Sequence, residues 1–264
     1  MPVFTRELGI DLGTMNTIVA EGKNILINEP TVVAVVLDEM VMVEWGKAAK
    51  DMTGRVPDTI EVARPLQNGV IAYYEYTEKL LKAIINRVSS MRLFPPRIMI
   101  TVPHAITSVE KRAVYEAGLG SGSREVYLIW QPLAAALGVD LPIATPAGNM
   151  ILCIGGGTTQ AAVLAMNTII SAETSQIAGL KFDDAIIAYV RKKYGLIIAQ
   201  PTAEQLKLRI GAAIPQDEQK TMEIQGQDQV SGLPKPATLT TDEIVEALQE
   251  PTREVVQTSR RVIE

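Results

Sequence analysis

Two short segments carry residue types that could grip an anion. The first is Asp11-Leu12-Gly13-Thr14-Met15-Asn16-Thr17, and the second is Cys153-Ile154-Gly155-Gly156-Gly157-Thr158-Thr159. In each, an apolar run ends in glycine, polar side chains follow, and a second β-prone run resumes. A turn of this kind aims backbone N–H groups and hydroxyls at one spot, the geometry of an anion nest. Its glycines let the main chain approach a polyphosphate closely. One glycine-rich hairpin alone is ordinarily just a hairpin. Two in matched strand context, with Asp11 and Cys153 in corresponding places, indicate a duplicated domain with facing hairpins. Such a pair would hold the β- and γ-phosphates of a nucleotide with Mg²⁺ between them.

The elements that must position these turns can be read around them. Leu8–Leu12, Ile18–Ala20, Ile25–Ile27, Thr31–Leu37 and Met40–Trp45 are apolar and β-branched enough for strands. Lys47–Thr53 is helix-like and Gly54 stops it. In Thr77–Val88 the residues Leu80, Leu81, Ile84, Ile85 and Val88 fall on one face, which predicts a helix. Arg97–Val102 reads as a buried strand ended by Pro103, and Thr107 as the cap of the next helix. After Pro146, strands are expected at Asn149–Ile154, Gln160–Ala165 and Thr168–Ala172, and helices at Phe182–Tyr194 and Thr202–Ile210, the latter capped by Thr202. Residues 215–236 suit a small sheet. Thr240 or Thr241 caps a final helix that runs through Pro251 toward Arg260. That helix meets no terminating signal, and the expectation is that a C-terminal portion is missing.

Composition narrows the classes. The 264 residues are 47% hydrophobic and 21% charged, with a net charge of −5, which is globular and gives no basic surface for nucleic acid. One cysteine and one histidine exclude a disulfide framework and a Cys-rich zinc site and leave little room for His-based metal binding or a His relay. His104 has no acidic or Cys partner near it in sequence and reads as structural. Arg6 and Glu7 come too early for a signal peptide, and no uncharged apolar run would span a bilayer. A soluble, cytosolic chain is expected.

Asp11–Thr17 resembles the first phosphate loop of the actin-like ATPases, and of the MreB family of bacterial rod-shape proteins in particular. The likeness continues through Asn28–Ala34, Arg64-Pro65-Leu66, Gly69–Ala72, Val109–Val114 and Arg124–Ile129, then through Gly155–Thr159, Arg191–Tyr194, Thr202–Glu204 and Gly232–Pro234. It implies an α/β, actin-like fold: duplicated ribonuclease-H-like domains, each with a small insertion, lacking the family's C-terminal part. The implied subdomains are 1–30 with 73–144 (IA), 31–72 (IB), 145–179 with 240–264 (IIA) and 180–239 (IIB). Carried over residue by residue, Asp11 would face the hydration shell of Mg²⁺. Gly13, Thr14, Asn16, Gly155, Gly156, Gly157 and Thr158 would contact the phosphates of ATP or ADP. Glu204 and Lys207, three apart on one helix, would grip ribose and adenine. Their bland alternative is a solvated ion pair.

The chain departs from the family around this same cleft. Cys153 stands where an Asp is usual, Gln131 where MreB proteins have a water-orienting Glu, and Gln160 where a further Glu is usual; Ala178-Gly179 replaces Gly-Gly. A thiol cannot neutralise Mg²⁺ as a carboxylate does, and an amide gives no general-base help. Weak or absent hydrolysis is therefore expected, with Gln131 left only a water-positioning role. The resemblance also implies head-to-tail self-association into filaments, or association with MreB paralogues. It further implies a membrane contact through Leu93 and Phe94, flanked by Arg92 and Arg97, hence a location at the inner face of the cytoplasmic membrane. Three readings compete: a cytoskeletal, ATP-binding cell-shape protein; a nucleotide-independent scaffold docking on MreB filaments; and a kinase or chaperone of the same superfamily. The last needs a catalytic aspartate with a sugar pocket, or a long substrate domain, and the sequence offers neither.

Overall fold

Alternation makes the first strand. In β1 (Glu7–Leu12) the side chains of Leu8, Ile10 and Leu12 are buried while Glu7 and Gly9 face outward. It turns back antiparallel into β2 (Asn16–Glu21), which continues through Gly22 into β3 (Asn24–Pro30). The computed structural model describes residues 6–89 and 95–264. The fold divides into two compact units, Met1–Thr174 and Ser175–Glu264.

In the first unit, β4 (Val33–Val36) lies between β5 (Val41–Trp45) and, beyond helix α1 (Gly46–Asp51), β6 (Ile60–Ala63) in a three-stranded antiparallel sheet. A short hairpin follows, β7 (Leu66–Gln67) and β8 (Val70–Ile71), turned by Asn68 and Gly69, both at positive φ (48° and 80°). Helix α2 (Tyr74–Ser89) precedes β9 (Arg97–Val102), and α3 (Ser108–Gly120) crosses over to β10 (Glu125–Trp130). Strands β9 and β10 lie parallel to each other, and β9 is parallel to β1, giving a five-stranded sheet in the order β10-β9-β1-β2-β3. One face of it packs Leu8, Ile10, Ile98 and Ile100 against Leu80, Leu81 and Ile84 of α2 and Val114 and Ala117 of α3. Thr107 caps α3 in a reciprocal capping box with Glu110.

Helix α4 (Gln131–Gly138) starts directly from β10 with Pro132 in its first turn, and leads to β11 (Asn149–Ile154), β12 (Thr159–Ala165) and β13 (Thr168–Ser175). These three strands form a sheet in sequence order, β11 antiparallel to β12, packed through Ala162 and Leu164 on Ala136 of α4 and Ile143.

The second unit packs α5 (Gly179–Tyr194), α6 (Gln200–Ile210) and α7 (Thr241–Ile263) against a sheet of β14 (Leu196–Ile197), β15 (Thr221–Asp228) and β16 (Pro234–Thr240). Ile186, Val190, Leu206, Leu239 and Ile244 make its core. Gly195, at φ 65°, ends α5 in the left-handed conformation that favours glycine. Thr240 caps α7 with Glu243 in a second capping box, and α7 continues through Pro251.

Several element boundaries differ from expectation. Helix α2 begins at Tyr74 rather than Thr77, and α5 at Gly179 rather than Phe182. Thr202 does not cap α6. The helix starts at Gln200 with Pro201 in the first turn, where proline's fixed φ and missing N–H cost nothing, and Thr202 N–H already donates to Ala199 O. Among the described residues no helix is long and apolar enough to cross a membrane.

Candidate functional site

The two glycine turns are built alike. Strand pairing ends at Leu12 opposite Thr17 in one hairpin and at Ile154 opposite Thr159 in the other. Each encloses four residues and closes with the same bond: Gly13 N–H to Asn16 O at 3.1 Å, and Gly155 N–H to Thr158 O at 2.9 Å. The interval from Asp11 to Cys153 equals that from Gly13 to Gly155 and from Ile18 to Gln160, so the repeat is structural, residue for residue. Among the described residues, the inner N–H groups of Thr14, Met15, Gly156 and Gly157 have no protein acceptor. Four donors left free beside one space form an anion cradle.

The loops face each other at close range. A Cβ on Gly157 would stand 3.0 Å from Thr14 Cβ and 3.1 Å from Asn68 Cα, and one on Gly156 would overlap Met15. Only glycine fits here. Behind the first loop, the hydroxyl of Thr31 donates to Gly13 O at 2.7 Å and accepts from Thr17 at 2.8 Å, while Thr31 N–H donates to Met15 O at 2.9 Å. Thr17 and Thr31 are buried, so this brace is shielded from water and holds the loop firmly. Beside it Gly69 N–H donates to Thr14 Oγ1 at 2.9 Å.

Between the loops lies a cavity of about 170 Å³. That is smaller than the ~300–1,000 Å³ of whole-ligand pockets and suits the phosphate end of a nucleotide. Asp11, Gly13, Thr14, Asn16, Gln131 and Gly155–Thr158, all expected from sequence, line it. Met15, Gly69, Thr101 and Pro103 join them without having been expected. The Asn-Gly turn at residues 68–69 was the available signal for Gly69; Thr101 and Pro103 reach the cavity only because β9 lies beside β1.

Asp11 accepts a hydrogen bond from Thr101 Oγ1 at 2.5 Å. Its counterpart Cys153 is half-buried, and burial, with the charge of Asp11 adding to it, pushes the thiol up from its ordinary range. Asp11 thus lines the cavity, while Cys153, in the matching place of the second hairpin, is not among its lining residues but lies near enough to feel the charge of Asp11. Among the described residues no three His, Cys, Asp or Glu side chains gather as a metal site. Mg²⁺ does not need such a cluster, because it keeps its waters and is held by one or two carboxylates together with phosphates. Asp11 beside the free N–H groups fits that requirement.

Gln131 and Gln160 meet at the cavity edge. His104 N–H donates to Gln160 Oε1 at 2.9 Å, and Gln160 Nε2 donates to Gln131 Oε1. Gln160 is 1% exposed. The His104 ring lies against Trp130, with centroids 5.2 Å apart, and Lys111 Nζ sits over the same indole at 4.8 Å.

Glu204 and Lys207 lie on α6 in the second unit. Lys207 Nζ pairs with the fully buried carboxylate of Asp183 at 2.7 Å and donates to Gly179 O at 2.8 Å. Asp183 is pushed up by burial, an effect Lys207 opposes. Leu93 and Phe94 lie outside the described residues.

A repeated hairpin pair around a phosphate-sized cavity, on sheets that mix parallel and antiparallel strands, defines an actin-like protein. Comparison with known proteins agrees. The MreB5 protein of Spiroplasma citri, solved with ADP bound, superposes with a TM-score of 0.92 at 32% identity, covering 98% of this chain and 78% of that one. The MamK double helical filament shares the fold, with a TM-score of 0.77 at 21% identity over 97% and 79% of the two chains. The cell shape-determining protein MreB of Haemophilus influenzae is 42% identical over 271 residues, covering 99% of this chain and 77% of the relative. The MreB/Mbl protein family profile matches residues 5–264. The chain belongs to the MreB/Mbl family.

Proposed function

We propose that this chain is a cytoskeletal protein of cell-shape determination that binds ATP or ADP, with Mg²⁺, in the cavity between its two glycine hairpins, and hydrolyses ATP slowly or not at all. The observation that carries this reading is the matched pair of loops, whose N–H groups without a protein acceptor belong to residues lining one phosphate-sized space. The loop amides and the hydroxyls of Thr14 and Thr158 would hold the phosphates, and Asp11 would hold a magnesium-bound water. A bound magnesium ion would supply charge neutralisation between the phosphates. The MreB5 relative solved with ADP supports nucleotide as the ligand. Glu204 and Lys207, with Lys207 pinned by Asp183, would take the nucleoside end. The subdomain division proposed from the sequence goes with this reading, as do head-to-tail self-association and a peripheral position at the inner face of the cytoplasmic membrane.

One observation favours a second reading. Three side chains that would be carboxylates for metal and water chemistry are here Cys153, Gln131 and Gln160, as suits a scaffold that docks on MreB filaments without using nucleotide. Sedimentation with and without Mg-ATP separates the two. Nucleotide-dependent pelleting supports the filament protein. Pelleting only when a MreB relative is added, whatever the nucleotide, supports the scaffold.

A further inference from the structure

The amide orientations at the cavity edge are not free choices. A backbone N–H can only donate, so the bond from His104 N–H fixes Gln160 with Oε1 toward residue 104. Gln160 therefore presents its NH₂ to Gln131, which must answer with Oε1. One of the two lone pairs of Gln131 Oε1 is thereby engaged, and this oxygen is held on Gln160. The other end of this cavity-lining side chain is Nε2 with its hydrogens, and among the described residues it has no acceptor. Burial of Gln160 shields the chain of bonds from water, which makes reversing it costly.

From this relay we propose that Gln160 is a positioning residue that turns Gln131 from an acceptor into a donor at the phosphate cavity. A group that orients an attacking water must accept its proton-bearing O–H. A donor in the same place instead bonds a terminal phosphate oxygen and stabilises the intact triphosphate. The inference rests on the nucleotide reading above and names how that site is tuned: toward holding ATP in preference to ADP, and away from cleaving it. Both effects come from one buried bond and need no further ligand.

Gln160→Glu tests it. A glutamate still accepts from His104 N–H but cannot donate, so Gln131 must swing its NH₂ onto residue 160 and turn Oε1 to the cavity. Mg-ATP and Mg-ADP affinities are measured by titration calorimetry, and single-turnover hydrolysis by phosphate release, on the whole protein. The wild-type protein is expected to bind ATP at least tenfold more tightly than ADP. The variant should lose most of that preference and hydrolyse at least tenfold faster. Because a buried glutamate can unfold the protein, Gln160→Met is measured beside it. Methionine cannot donate and accepts only weakly, leaves Gln131 free to rotate, and should give an intermediate preference and rate. Both variants binding with the wild-type ATP-to-ADP ratio and wild-type hydrolysis would overturn the proposal while leaving nucleotide binding intact. Failure of the wild-type protein to bind either nucleotide would overturn the underlying reading and this proposal together.

Discussion

Gln160 donates its side-chain amide to Oε1 of Gln131, joining the start of β12 to the first residue of α4 across the edge of the phosphate cavity. Sequence comparison marks these as two separate losses of a carboxylate. In the structure they form one hydrogen-bonded pair. Two ionised carboxylates in that contact would repel, whereas two amides join with complementary donor and acceptor and need no counter-ion.

The tight approach of the loops makes Gly156 the most sensitive position. Gly156→Ala would put a methyl group into Met15, with Met15 Cβ 2.8 Å away. The loops must separate, at a cost of about 1–3 kcal/mol for an overpacked contact, and nucleotide affinity should fall at least tenfold. Gly9→Ala is the control. Its new methyl meets nothing within 4 Å, and removing strand glycine entropy should raise stability by about 0.5 kcal/mol. Thermal denaturation and titration calorimetry on the two variants check both statements.

In the second unit, Lys207→Met leaves the carboxylate of Asp183 buried without its cation. Breaking a buried pair from one side costs about 3–5 kcal/mol. The double variant Asp183→Asn/Lys207→Met should recover most of that loss in urea unfolding. Equal destabilisation of single and double variants would show that the pair does not hold this unit together.

The capping box of α7 predicts an acid-sensitive joint. Burial alone would raise the Glu243 carboxyl, but hydrogen bonds from Lys193, Tyr194 and Thr240 outweigh it and hold the group below its ordinary range. Tyr194, donating to Glu243 at 2.5 Å, is in turn pushed up to about 12. A depressed carboxyl stabilises the fold above its unfolded value and loses that contribution as pH falls through the folded value. Melting temperature should therefore drop on acidification below the ordinary carboxylate range, and drop less steeply in Glu243→Gln. Parallel curves would contradict the assignment.

Cys153 should be slow to alkylate. Burial and the charge of Asp11 hold the thiol protonated well above neutral pH, and the thiolate is the reactive form. Iodoacetamide labelling at neutral pH should be slow in the folded protein and fast in urea. Cys153→Asp restores a second carboxylate opposite Asp11 and should tighten Mg-ATP binding, read by titration calorimetry; unchanged affinity would mean that this position does not face the metal.

Much of this site was legible in the chain because it is local. Gly13–Thr17 and Gly155–Thr159 announce turns by composition, and their repetition announces a pair. Thr107 announces a helix start, and Thr240 or Thr241 another; the structure selects Thr240, which like Thr107 has a glutamate three residues on. What was hidden depends on contacts between distant segments. Thr101 touches Asp11 only through the parallel pairing of β9 with β1, and Gly69 meets Thr14 through a hairpin more than fifty residues away in sequence. Thr202 misled because a proline one residue earlier starts α6 without a side-chain cap. The partner of Lys207 was missed because Asp183 lies on a different helix, where spacing along α6 cannot reveal it.

Nucleotide carried through purification decides whether the cavity between the two hairpins holds ATP. The purified protein is denatured in acid, and the released small molecules are quantified by mass spectrometry, alongside Gly156→Ala prepared in the same way. Adenine nucleotide near one per chain, predominantly triphosphate, is expected in the wild-type protein and little in the variant. A wild-type protein that releases none, and that takes up none when titrated with Mg-ATP, would contradict this expectation.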